Sequence, residues 1–103
     1  MKKFNILVAP AASDRMADQF EFLARVSENA ANKLLKKLIE DIKSLEINPQ
    51  INPYLDRTYI EPRKYRYKLS YGRYRIVYQI VNYTVFVDDI QDYRQGDDKS
   101  LLK

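Results

Sequence analysis

Between Arg57 and Arg75 the chain places Arg57, Arg63, Lys64, Arg66, Lys68, Arg73 and Arg75, opposed only by Glu61. Histidine and cysteine are absent from the sequence. The common zinc ligands and the usual general base at neutral pH are therefore missing, and no metal ion or other cofactor is expected. Acid–base work would fall to Lys, Arg, Asp, Glu, Tyr or Ser. RNA can be cut with such a set if a base takes the ribose 2′-hydroxyl proton and cations stabilise the charge developing at phosphorus. A lysine at its ordinary pKa of about 10.4 is a poor base, and neighbouring positive charge is what would improve it. Lys68, beside Arg66 and Arg75, is the candidate. Arg75 would hold the scissile phosphate with its two-pronged guanidinium. Arg63, Lys64 and Arg73 extend the basic run as RNA-binding residues, and the interleaved tyrosines offer rings on which bases stack. Two plainer readings stand beside this one. The basic residues could be a solvated sheet face, and Tyr65, Tyr67, Tyr74 and Tyr78 could pack inward against helices.

These side chains need a sheet to hold them. Phe4 to Ala9 is a short β-rich run stopped by Pro10 and reads as a first strand. Pro10 or Ser13 opens a helix in which Met16, Phe20, Leu23 and Ala24 recur at helical spacing through Val26. After a break at Ser27 to Asn29, Ala31, Leu34, Leu35, Leu38, Ile39, Ile42 and Leu45 form one stripe of a second amphipathic helix, Ala30 to Leu45. The two form a helical hairpin. Asn48-Pro49 and Asn52-Pro53 impose a loop. From Tyr59 to Ile90 the period is two, with turns at Tyr71-Gly72 and Asn82-Tyr83. Strand alternation puts Arg66 and Lys68 on one side, and the turn through Gly72 is expected to bring Arg75 alongside them. The fold class is α+β in the order β-α-α-β-β-β, an antiparallel meander with a helical hairpin packed on one face. Asp92 to Lys103 reads as a short helix or a tail.

The chain of 103 residues, 46% hydrophobic and 13% aromatic, suits a single domain over 1–103 with one core. Its 18 basic and 14 acidic residues give a net charge of +4, which is compatible with a polyanionic partner. The absence of cysteine suits a reducing compartment, and the N-terminal apolar run is too short for an export signal or a membrane span. The expectation is a cytoplasmic protein without membrane contact.

Tyr65-Arg66-Tyr67-Lys68-Leu69, then Gly72-Arg73-Tyr74-Arg75-Ile76-Val77-Tyr78-Gln79-Ile80, then Val85-Phe86-Val87 leading to Tyr93-Arg94, resemble the core of the RelE/ParE toxin superfamily. The resemblance runs from Phe4 to Arg94. It implies the toxin of a type II toxin–antitoxin pair, held by a cognate antitoxin protein. Among RelE-like members it implies an mRNA interferase, an endoribonuclease that enters the ribosome, cleaves messenger RNA, and so inhibits translation and arrests growth. Lys68, Arg75, Arg66 and Arg94 would then be the catalytic residues, with Tyr93 contacting RNA. ParE-like members are similar in fold but poison DNA gyrase and lack the ribonuclease residues. The basic set favours the RelE-like reading here, with a ParE-like gyrase inhibitor or an inactive toxin-fold binding module as alternatives. The chain departs from the RelE pattern at Leu101 and Leu102, where a base-stacking tyrosine is expected and for which Tyr93 could substitute. It departs again at Asp88, Asp89 and Asp92, which bring negative charge beside the last strand as a second base, an orienting group or a solvated edge. Glu61 is a further candidate base.

Overall fold

Pro10 ends the first strand and starts the first helix. Its fixed φ and missing N–H are tolerated at the first helical position, and Ala9 before it is extended (φ −61°, ψ 142°). The computed structural model describes residues 3–57 and 59–92. Strand β1 (Asn5–Val8) leads into α1 (Pro10–Ala24), α2 (Glu28–Ser44), a 3-10 turn (Pro49–Ile51), and then β2 (Arg66–Ser70), β3 (Tyr74–Val81) and β4 (Thr84–Asp92). The break expected at Ser27 to Asn29 is a corner capped by one residue. The Ser27 hydroxyl accepts a hydrogen bond from the Ala30 N–H at 3.1 Å, which lets α2 begin at Glu28.

The sheet order is β1-β4-β3-β2. Strands β2, β3 and β4 form the expected antiparallel meander, but β1 joins β4 in parallel, with Asn5 opposite Thr84 and Val8 opposite Val87. The sheet is therefore mixed. The helical hairpin carries the chain across the sheet from β1 to β2, which runs parallel to it, and the meander then returns to place β4 beside β1. Between β3 and β4 the register shifts once, from Val77 opposite Asp89 to Tyr78 opposite Val87, so β4 carries Asp88 as an extra residue.

Both faces of the sheet are covered. Tyr74, Ile76 and Tyr78 of β3 and Val85, Val87 and Ile90 of β4 pack against Ala12, Leu34, Leu38, Ile42 and Leu45 from the helical side. On the opposite face Val77 packs with Leu55, Ile60 and Tyr65, and Tyr67 lies against them. The expectation that all four tyrosines face the helices is thus corrected for Tyr65 and Tyr67. Tyr67 pairs with Val77, and pairing across a ladder puts both on one face. The period-two segment also starts later than expected. Residues 59–65 are a loop that covers the outer face, and β2 begins only at Arg66.

Candidate functional site

The β2–β3 hairpin decides where the basic residues point. Ser70 pairs with Tyr74, leaving three loop residues, Tyr71, Gly72 and Arg73, where a two-residue turn was expected. Tyr71 and Gly72 both have positive φ, 56° and 62°. A two-residue turn would set Lys68 opposite Arg75, whereas the longer loop sets Lys68 opposite Ile76 and Leu69 opposite Arg75. One added residue reverses the face. Arg66 and Lys68 lie on the helical side, and Arg75 lies on the outer side between Leu69 and Gln91. The single cationic cluster expected from strand alternation is divided by the sheet.

Arg66 is held by the protein itself. Its guanidinium stacks on Tyr54, 3.9 Å from the ring centroid, and donates to the Asn52 carbonyl at 2.6 Å and to the Tyr54 hydroxyl at 2.7 Å. Asn52 Nδ2 donates at 2.9 Å to the buried Tyr78 hydroxyl, which itself donates to the Pro49 carbonyl at 2.5 Å. Burial pushes the Tyr78 hydroxyl pKa up, with the Asn52 hydrogen bond and the Arg66 charge pulling partly back. Together these contacts fasten the loop after α2 to the edge of β2. The backbone joins in, since Tyr54 bridges Arg66 and the Tyr67 N–H donates to the Pro53 carbonyl.

Lys68 Nζ donates to the Ser44 hydroxyl at 2.9 Å, and Ser44 donates to the Asp41 carbonyl at 2.6 Å. Ser44 is the last residue of α2, so the ammonium sits at the negative end of the helix dipole. That placement ties β2 to α2 whatever else Lys68 does. Arg73 forms an ion pair with Asp92 at 2.7 Å. Arg63 and Lys64 occupy an exposed turn, where Lys64 lies 5.4 Å from the Tyr65 ring centroid. Tyr93 and Arg94 lie outside the described residues, as do Leu101 and Leu102.

The acidic residues beside the last strand are not a solvated edge. Asp89 is fully buried, pairs with Arg15 at 3.4 Å, and accepts from Gln91 Nε2 at 3.0 Å and from the Ile90 N–H at 2.8 Å. Asp92 is buried against Arg73. Asp88 accepts from Gln79 Nε2 at 2.7 Å. Burial raises its pKa, against the lowering by that hydrogen bond and by Lys64 and with a smaller raising by Asp89. Glu61 is exposed in the turn, its carbonyl accepting from the Lys64 N–H at 3.3 Å. Sequence reading did not find Asn52, Tyr54, Ser44 or Arg15, because polar partners so far apart in the chain leave no local periodicity.

Beside β1 an apolar groove of about 250 Å³ is lined by Ile6, Val8, Met16, Ile39 and Ile42, with Lys43 and Glu46 also on its wall. A second hollow of about 320 Å³ shares Met16 and adds Phe20 and Leu35 between the two helices. Among the described residues no group of three or more acidic side chains is placed to hold a metal ion, and no helix is long and apolar enough to cross a membrane.

Two helices packed on a four-stranded mixed sheet, with an apolar groove beside β1, make a small α+β domain, and comparison with known proteins agrees with that class. The sequence model of the ParE toxin of the type II toxin–antitoxin system parDE matches residues 6–95, and the chain belongs to that family. It thereby falls within the RelE/ParE superfamily that its motifs resemble. Among solved structures it is similar to a chain of the chromosomal ParDE toxin–antitoxin system of P. aeruginosa, with a TM-score of 0.70 at 11% identity over 87% of this chain and 96% of that one. At that identity the likeness concerns the fold. No curated protein matches it in sequence.

Proposed function

We propose that this toxin arrests growth in the bacterial cytoplasm as a ParE-like inhibitor of DNA gyrase, without nuclease activity of its own. The observation that carries the reading is the division of the basic residues by the sheet. A metal-independent ribonuclease needs its base and its phosphate clamp within reach of the same scissile phosphate. Here Lys68 and Arg75 project from opposite faces, and Arg66 is occupied by Asn52 and Tyr54. The RelE-like mRNA interferase favoured by the basic run loses its main support, and family membership points the same way.

A cognate antitoxin is the expected partner. The groove of Ile6, Val8, Met16, Ile39 and Ile42 lies along the edge of β1 that no other described strand pairs with, and Leu7 and Val8 there are exposed. An apolar edge without a charge or a proline invites an added segment. A chain that is disordered when free can fill both edge and groove.

The experiment is brief expression without antitoxin, followed in one culture by primer extension on several messages and by plasmid topology on chloroquine gels. Intact messages with altered supercoiling are expected. Ribosome-dependent cuts that vanish with Lys68→Ala would overturn the proposal in favour of the interferase. Neither effect would leave a toxin fold that only binds.

A further inference from the structure

The loop between α2 and β2 carries a cleft that neither target explains. It has a volume of about 230 Å³ and is lined by Tyr54, Leu55, Asp56, Pro62 and Arg63. That is smaller than the roughly 300–1,000 Å³ of sites for drug-sized ligands and suits a single ring system. Tyr54 is 43% exposed, and its ring is fixed in advance by the Arg66 guanidinium stacked on it and bonded to its hydroxyl. A ring that is already immobilised loses little freedom when something stacks on it.

Arg63 supplies a second, independent sign. Glu61-Pro62-Arg63-Lys64 is a turn closed by the Lys64 N–H on the Glu61 carbonyl, with proline second and Arg63 third at φ 61°. A proline-led turn with positive φ at its third position favours glycine or asparagine there. A long side chain in that backbone conformation is strained, and Arg63 is held there by the turn. The side chain is exposed and enters no ion pair among the described residues. The strained position sets Arg63 on the wall of the cleft.

Asp56 narrows the ligand. Asp56 accepts from a donor group and Arg63 clamps an anion, so the ligand must carry both, with its anion on the Arg63 side. A nucleotide satisfies both groups. Its base carries amino or ring N–H donors for Asp56 and a π face for Tyr54, and its phosphate accepts a two-pronged contact from Arg63. Bases stacked inside a duplex present no free face, so the strand must be single or locally opened. We infer that the cleft of Tyr54, Asp56, Pro62 and Arg63 binds one unstacked nucleotide of a single strand, the base on Tyr54 and the phosphate on Arg63. This site is independent of the gyrase reading, because a single strand could come from DNA opened on the enzyme or from a message.

The test is fluorescence anisotropy at fixed salt with fluorescein-labelled oligoribonucleotides, oligodeoxyribonucleotides, their duplexes and a glutamate-rich peptide. Arg63→Gly is the decisive variant, because it relaxes the turn and keeps the fold. Its Tm should rise while single-strand affinity falls about tenfold, the scale of one lost phosphate contact. Tyr54→Ala, scored per folded molecule, should weaken binding by at least about fivefold, as loss of one stacked base does. Preference for ribose or deoxyribose strands would identify the source and support the site in either case. A raised Tm with unchanged affinity in Arg63→Gly would overturn the inference. So would duplex binding as tight as single-strand binding, or peptide binding that is lost with Arg63→Gly while the strands do not bind.

Discussion

Arg66→Ala removes three contacts at one stroke: the hydrogen bond to the Asn52 carbonyl, the one to the Tyr54 hydroxyl, and the stacking on Tyr54. The first is partly buried and charge-assisted and contributes about 1 kcal/mol after allowance for solvent, while the exposed pair with Tyr54 contributes about 0.5 kcal/mol. The stacking adds about 0.5 kcal/mol at a surface site. The loss comes to about 2 kcal/mol, and in a domain of this size each kcal/mol moves Tm by roughly 4–8 °C. The expected fall in Tm is therefore about 8–16 °C. Arg66→Lys should recover less than half of it, because an ammonium cannot span both acceptors and stack as well. Thermal melts and urea titrations followed by circular dichroism measure the loss, and growth arrest is scored at matched amounts of folded toxin. The loop-fastening role predicts a large loss of stability with specific toxicity retained. A Tm within about 2 °C of the parent together with lost toxicity would refute it and return Arg66 to the functional residues.

Tyr78→Phe should cost about 1–2 kcal/mol, since it strands the Pro49 carbonyl and the Asn52 amide, and with Arg66→Ala the two losses should fall short of additive because both act through Asn52; full additivity in urea titrations would show two independent fasteners. Ser27→Ala should lower stability by about 1 kcal/mol without changing the urea m-value, as expected for loss of the α2 cap. For Asp88, burial raises the folded pKa above the unfolded one, so the folded state holds the proton more tightly. Its contribution to stability is full below the unfolded pKa and is lost as pH rises through the folded value. Asp88→Asn, which keeps an acceptor for Gln79, should therefore raise Tm at pH 7, and the gain should shrink on acidification through the carboxylate range; a gain independent of pH would contradict this.

What could be read from the sequence was what local spacing encodes. The α2 stripe of Leu34, Leu38 and Ile42 packs on the sheet as its period demands, Pro10 marks a helix start through its own backbone chemistry, and Ser27, read as part of a break, caps α2 through its hydroxyl so that the helix begins two residues earlier than expected. The pairing of β1 with β4 joins residues at opposite ends of the chain, and no period records it. The face occupied by Arg75 depended on whether Tyr71-Gly72 or Tyr71-Gly72-Arg73 forms the turn. Strand parity reverses with each added residue, so a motif legible to within one residue left the candidate site undetermined. Tyr65 and Tyr67 were misplaced for a related reason. The apolar residues that cover them, Leu55 and Ile60, come from a loop with no repeating pattern. The fastening of Arg66 depended likewise on Asn52 and Tyr54, which a sequence shows only as ordinary loop residues.

Whether the toxin acts on gyrase, as proposed, or on messenger RNA can be decided with purified components. The measurement is supercoiling by purified gyrase with ATP and relaxed plasmid, titrated with purified toxin in the presence and absence of its antitoxin. Loss of supercoiling that the antitoxin reverses and that Lys68→Ala leaves in place is expected. Undiminished supercoiling by a toxin that still arrests growth would contradict it.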